Sequence, residues 1–189
     1  MQPFKILLKL PTRQRRIKFF DVLDRYRLMA TDPANIRWVA TCDEDDREMN
    51  TGGVRSLLQN MGVEVHYGPA RTKIEACNAD IPSDGWDILV LASDDMIPQV
   101  QGWDEIIREQ MKVCFPDLDG ILNFHDGHQG DRINTLPVMG VNWYRRWGYI
   151  YNPIYRTMYC DTEYTEVSRM LGKEAYFDLS PGTFRNLAE

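Results

Sequence analysis

The stretch WDILVLASDDM, Trp86 to Met96, runs through an unbroken apolar segment from Ile88 to Ala92 and then stops at Ser93 and two adjacent carboxylates, Asp94 and Asp95. A short apolar run bounded this sharply predicts a strand buried on both faces, with charge delivered at its carboxyl end. Open α/β sheets bind ligands at that end of their strands, and paired carboxylates there can hold a divalent cation that neutralises a diphosphate. A metal-dependent nucleotide enzyme is the chemistry this suggests. The competing reading is that Asp94 and Asp95 cap the next turn or helix, as Asp often does after a strand.

Working outward, FKILLKL, Phe4 to Leu10, is a second strand-like segment, expected to end at Pro11. From Arg13 to Met29, Ile17, Phe20, Val22, Leu23 and Tyr26 recur at helical spacing. IRWVATCDEDD, Ile36 to Asp46, repeats the pattern of a strand ending in acid, followed by a helix around Gly52 to Met61. VEVHYG, Val63 to Gly68, reads as a short strand, Thr72 to Ala79 as a helix, and Trp103 to Val113 as an amphipathic helix. Strands alternating with helices predict a mainly parallel, doubly wound sheet. After Pro116 the chain changes to short aromatic-rich pieces with turn residues, then an acidic helical piece from Asp161 to Leu171. One domain over 1–189 is expected, with 1–115 as the nucleotide-binding half and 116–189 as the half that meets an acceptor.

The composition narrows the class. With 189 residues, 43% of them hydrophobic, the chain is long enough for one sizeable core. No stretch approaches the roughly 20 apolar residues of a membrane span. The basic cluster of the N-terminal segment follows its apolar part, the reverse of a secretory leader, so a cytoplasmic location is expected. Cys42, Cys77, Cys114 and Cys160 lack metal or disulfide spacing and are expected as free, buried thiols. A net charge of -6 argues against generic nucleic-acid binding, which needs a phosphate-neutralising surface. Two local basic clusters stand out, Arg13, Arg15, Arg16 and Lys18 after the first strand, and Arg145 with Arg146.

In the order of these elements the chain resembles the GT-A fold of nucleotide-sugar-dependent glycosyltransferases, particularly the family 2-like group. LPTRQR, Leu10 to Arg15, is similar to the loop after the first strand of that fold, which implies that Thr12 and Arg13 lie against the nucleotide. TCDEDD, Thr41 to Asp46, is similar to the end of its second strand, with Asp43 as the acid toward the nucleoside. RTKIEACNAD, Arg71 to Asp80, resembles a helix whose Lys and Asn, here Lys73 and Asn78, face the diphosphate and the base or ribose. SDDM, Ser93 to Met96, occupies the place of the DxD metal motif, with Ser93 replacing the first acid. Asp95 then holds the third position and is the first choice as ligand to Mn²⁺ or Mg²⁺, with Asp94 beside it. Trp103 and Asp104 resemble the helix entry that packs beneath the donor sugar.

The resemblance also implies a general base at the start of a late helix, and CDTEYTEV, Cys160 to Val167, is the matching cluster, with Asp161 first and Glu163 second. An inverting transfer needs such a carboxylate within hydrogen-bond reach of the acceptor hydroxyl. The same residues would also suit a helix N-terminus as a cap and a dipole partner. His125, in HDGH with His128, could ligate metal as in retaining enzymes, or could simply belong to a turn. The aromatic run Trp143, Tyr144, Trp147, Tyr149, Tyr151 and Tyr155 offers stacking faces or ordinary core, and Gly140 is expected where two backbones approach.

The implied activity is transfer of a hexosyl or pentosyl group from a nucleotide diphosphate-sugar to an acceptor hydroxyl. The acceptor is a saccharide or, as in small virus-encoded enzymes of this type acting in the host cytoplasm, a hydroxylated base in DNA that Arg145, Arg146 and the aromatics could receive flipped. Two other classes compete. A nucleotidyltransferase would want a glycine-rich phosphate loop, which Leu10 to Arg16 lacks. A non-catalytic nucleotide-sugar or carbohydrate-binding module would account for Ser93.

Overall fold

Alternation in β1 (Ile6–Thr12) sends Ile6, Leu8 and Leu10 into one apolar layer and Leu7 into the other, all of them buried. Such a strand must be covered on both faces, and it is. The computed structural model describes residues 3–178 and 184–186. On one face lie α1 (Arg16–Leu28), α2 (Gly52–Asn60) and α4 (Trp103–Cys114), through Phe19, Leu23, Leu58, Ile107 and Met111. On the other lie α3 (Lys73–Asn78), α5 (Val141–Trp147) and α6 (Cys160–Met170), through Ile74, Cys77, Trp143 and Tyr164. The result is a three-layer α/β architecture.

Between the helical layers, seven strands run in the order β3-β2-β1-β4-β7-β6-β8: β2 (Ile36–Asp43), β3 (Val63–Gly68), β4 (Ile88–Leu91), β6 (Ile121–Phe124), β7 (Val138–Gly140) and β8 (Glu174–Phe177) join β1. Only β7 runs antiparallel to its neighbours, β4 and β6. A small second sheet pairs β5 (Met96–Pro98) with β9 (Phe184–Asn186), antiparallel. The mainly parallel, doubly wound sheet matches the expectation from alternation.

Two local expectations need correction. Pro11 does not end β1, which continues to Thr12 in register with Cys42 of β2. Proline lacks only a donor, and β1 has already lost β4 as a neighbour after Lys9 pairs Leu91, so no ladder bond is forfeited on that side. VNWYRRW, read as irregular, forms α5 because Val141 and Trp143 bury against the sheet. Gly140 is placed as expected, since a Cβ there would collide with the Leu118 carbonyl. Cys42, Cys77 and Cys160 are buried free thiols and Cys114 is half-buried.

Candidate functional site: a cleft at the strand ends

The strand order reverses direction between β1 and β4, the position where open α/β sheets form their ligand crevice. A cleft of about 550 Å³ opens there, within the range that takes a small molecule or cofactor. Pro11 and Thr12 end β1 at its floor, Asp43 ends β2, and Leu91 ends β4, with Ala92 to Met96 following it. Arg71, Lys73 and Cys77 also line it, and next to them Tyr151, Cys160 and Asp161, with Cys77, Tyr151 and Cys160 packed in one apolar cluster.

The loop after β1 holds the site's cations. Gln14 adopts a left-handed conformation at φ 53°, rare for a residue with a side chain, and its N–H donates to the buried Asp46 carboxylate at 2.7 Å. That turn sends its neighbours in different directions. Arg13 pairs with Asp43 and, at 3.0 Å, with Asp45, whereas Arg15 reaches across the switch point to Asp94 at 2.8 Å and Asp95 at 3.7 Å. Lys18 of α1 lies 3.6 Å from Asp95. Asp94 and Asp95 therefore meet guanidinium and ammonium groups. Of the two, Asp94 has the less exposed side chain, 11% against 27%.

Thr12 contributes a different signal, because among the described residues its Oγ1 is buried without a hydrogen-bond partner at the cleft floor. A buried polar atom left unpaired costs free energy that a bound ligand can recover. Asp161, also on the cleft, lies in the first turn of α6, which starts from Tyr159 held at φ 66°; its Oδ1 accepts from Thr162 N–H at 2.9 Å. Lys73 faces the cleft without an ion pair among the described residues. Four cations, Arg13, Arg15, Arg71 and Lys73, thus share the cleft with four carboxylates, Asp43, Asp94, Asp95 and Asp161. Burial raises the Cys160 thiol pKa and pushes Cys77 up to about 12, which keeps both as neutral lining rather than nucleophiles.

Other sequence candidates lie elsewhere. Asn78 is spent on the chain itself: its Oδ1 accepts from Ile150 and Tyr151 N–H at 2.9 and 3.0 Å, and its Nδ2 donates to the Tyr151 carbonyl at 2.6 Å. Trp103 is fully buried, edge-on to Tyr26, with its indole N–H on the Tyr26 carbonyl. Asp104 is equally buried and receives Thr31 N–H, Asp32 N–H and the Arg108 guanidinium, so this helix entry braces α4 against the end of α1 instead of lining the cleft. His125 uses Nδ1 to accept from Gly127 N–H, and among the described residues it joins no cluster of three potential metal ligands. Glu163 faces a separate recess. Arg146 is held on Asp119, whose carboxyl is pulled down to about 2 by that guanidinium and by Lys173, and Arg145 is exposed outside the cleft.

A network absent from the sequence reading lies behind the Arg71 wall. Lys9 of β1 is fully buried and donates to Thr41 Oγ1, Thr41 donates to Asp80 at 2.7 Å, and Asp80 meets Arg71 at 3.4 Å. Arg71 lies where a Cβ on Gly68 would sit, so glycine at the end of β3 makes room for its guanidinium. Burial lowers the Lys9 ammonium pKa to about 8, with the nearby Asp80 carboxylate opposing the shift. In FKILLKL, Lys9 reads as a solvent-facing alternate; only a strand covered on both faces brings it inside.

No family profile matches the sequence, and no curated protein matches it in sequence. Solved structures do match in shape. A mannosyltransferase from Pyrobaculum calidifontis, in complex with GDP-Man and Mn²⁺, superposes with a TM-score of 0.72 at 11% identity, covering 95% of this chain and 55% of the other. TarS of S. aureus gives 0.70 at 7% identity, over 92% and 35%. A cytidylyltransferase from Leptospira borgpetersenii gives 0.61 at 13% identity, over 95% and 77%. The chain spans about half the length of the mannosyltransferase and about a third of TarS. Among the described residues no helix is long and apolar enough to cross a membrane. What is shared at these identities is the fold, the GT-A type of α/β sheet flanked by helices.

Proposed function

We propose that the chain is a glycosyltransferase that moves a sugar from a nucleotide diphosphate-sugar to an acceptor hydroxyl. The observation carrying this reading is the meeting of Asp94 and Asp95 with Arg15 at the switch point, inside a cleft sized for a small molecule, with Lys18 also 3.6 Å from Asp95. Thr12, Arg13 and Asp43 would hold the nucleoside end, and Lys73 and Arg15 the diphosphate. A Mn²⁺ or Mg²⁺ ion fits Asp94 and Asp95, because such ions take one or two carboxylates and complete their shell with water and phosphate oxygens. When bound, it neutralises charge on the departing nucleotide diphosphate. Arg15 and Lys18, which pair with these carboxylates, would supply the cations for the phosphate oxygens. Asp161 takes the proton of the acceptor hydroxyl as that oxygen attacks the anomeric carbon from the face opposite the nucleotide, giving inversion.

We favour a saccharide acceptor in the cytoplasm over a DNA base, since Arg146 is committed to Asp119 and the net charge is -6. The cytidylyltransferase likeness supports one rival, nucleotidyl transfer on the same scaffold.

The test is a thermal-shift and turnover screen of UDP-, GDP-, CDP- and dTDP-sugars, with and without Mn²⁺ or Mg²⁺, on the native chain and on Asp95→Ala. One nucleotide series should stabilise the protein only with metal, by about 2.7 kcal/mol at a hundredfold excess over Kd, which is about 5–10 °C for a chain of this size. Asp95→Ala should abolish the shift. Pyrophosphate release from a nucleoside triphosphate and a sugar phosphate, without response to nucleotide sugars, would replace the proposal with the nucleotidyltransferase. Binding without transfer or hydrolysis would leave a binding module, and silence toward every donor would sink the reading.

A further inference from the structure

A second recess lies across the Ile150–Tyr151 segment from the cleft, so that Ile150 lines one cavity and Tyr151 the other. Trp143 and Trp147 of α5, Tyr149, and Glu163 and Tyr164 of α6 surround it. Two positions along a helix turn through about 200°, which explains why Asp161 enters the cleft and Glu163 does not. The rings are set at angles to one another: Trp143 and Trp147 have centroids 6.1 Å apart at 68°, and Trp147 and Tyr149 6.4 Å apart at 31°. They form a box instead of a flat platform. Glu163 Oε1 accepts from Asn152 Nδ2 at 3.1 Å, and the carboxylate makes no ion pair among the described residues. Among the described residues no Lys or Arg lines the recess.

We propose that this recess binds a compact organic cation, an alkylated ammonium group, at a site separate from the donor cleft. Aromatic faces carry negative potential and attract such a cation, and they contact its alkyl substituents at the same time. The carboxylate supplies the counter-charge that the box otherwise lacks. Size supports a headgroup: the recess measures about 50 Å³ where the cleft measures about 550 Å³. A pyranose fits the lining less well, because it needs donors and acceptors all around its rim, whereas beside the Glu163 carboxylate the recess offers only the hydroxyls of Tyr149 and Tyr164 and the indole N–H groups of Trp143 and Trp147. The ammonium would belong to an acceptor or an effector carrying that group, and the site stands whether or not the cleft transfers sugar.

The experiment titrates the full chain with choline at constant ionic strength, following tryptophan fluorescence, beside the neutral isostere 3,3-dimethylbutanol and the sugar maltose. Choline should give a saturable change and bind at least about tenfold more tightly than the isostere. Trp147→Ala, at a side chain in a residue 41% exposed, and Glu163→Gln should each weaken choline about fivefold or more with Tm retained. Equal binding of the isostere, an unaffected Glu163→Gln, maltose binding in place of choline, or no saturable signal with choline would each overturn the proposal. None of these outcomes depends on a nucleotide sugar, so a failure here and a failure of the transferase reading are distinguishable.

Discussion

Lys9 sits at zero exposure in β1, where burial pulls its ammonium pKa from 10.5 down to about 8. The folded value lies below the unfolded one, so between pH 8 and 10.5 the unfolded chain binds more protons and stability rises with pH. The full gap is worth on the order of 3 kcal/mol. Buried tyrosines such as Tyr26 oppose this at the alkaline end, since the unfolded phenol ionises first, and the contribution of Lys9 is therefore read as a difference. Urea unfolding of the native chain and of Lys9→Met, from neutral pH to pH 10, should show the native chain gaining relative to the variant as pH rises past 8. A difference that stays flat would mean that the ammonium is as readily protonated folded as unfolded. Thr41 keeps its own bond to Asp80 in the variant, so the network loses one member without collapsing.

Among the elements, the short helix α3 shows how a site wall is fixed. Thr72 and Glu75 form a reciprocal capping box at its start, and Asn78 at its end clamps Ile150 and Tyr151, the partition between the two cavities. Asn78→Leu leaves two N–H groups and a carbonyl without partners, an expected loss of about 3 kcal/mol, or on the order of 10 °C in Tm. Asn78→Asp keeps the acceptor for both N–H groups and should cost less than half as much, with amide exchange at 150 and 151 accelerating far more in the leucine variant. Equal losses in the two variants would show that the clamp is not what holds the partition. From sequence, α3 was legible as a helix from Thr72 to Ala79, with Ile74 and Cys77 at helical spacing, and the strand ends were legible because Asp43, Asp94 and Asp95 follow apolar runs. The role of Asn78 was not, since its partners lie more than 70 residues away. β7 escaped notice for a related reason: three residues beside a helix carry no period, and their strand identity comes from β4 and β6 on either side.

At the scale of the molecule, one continuous sheet joins residues 1–115 to residues 116–189. β4 belongs to the first half, yet Ile88, Leu89 and Val90 pair with Gly140, Met139 and Val138 of β7. Leu122, Phe124, Leu136 and Val138 pack in the core that α1 and α4 cover, while Ile121 and Met139 pack in the opposite one. A buried apolar side chain contributes about 1.5–3 kcal/mol, so six of them amount to about 9–18 kcal/mol, against a net stability of about 5–15 kcal/mol for a whole domain. The surface that these side chains cover on the first half would be exposed by a comparable amount if they were removed. We therefore expect residues 1–115 alone to show no cooperative thermal transition and to bind a hydrophobic dye, although they carry all four cleft cations. The full chain should unfold in one step, with tryptophan fluorescence and far-ultraviolet dichroism following the same curve. Two separated transitions, or a cooperatively folded 1–115 fragment, would make the halves independent domains and move the cleft to the boundary between them. β7 ties the halves together: an antiparallel strand inserted between β4 and β6, it makes the sheet of the first half continuous with that of the last, so neither can close without the other.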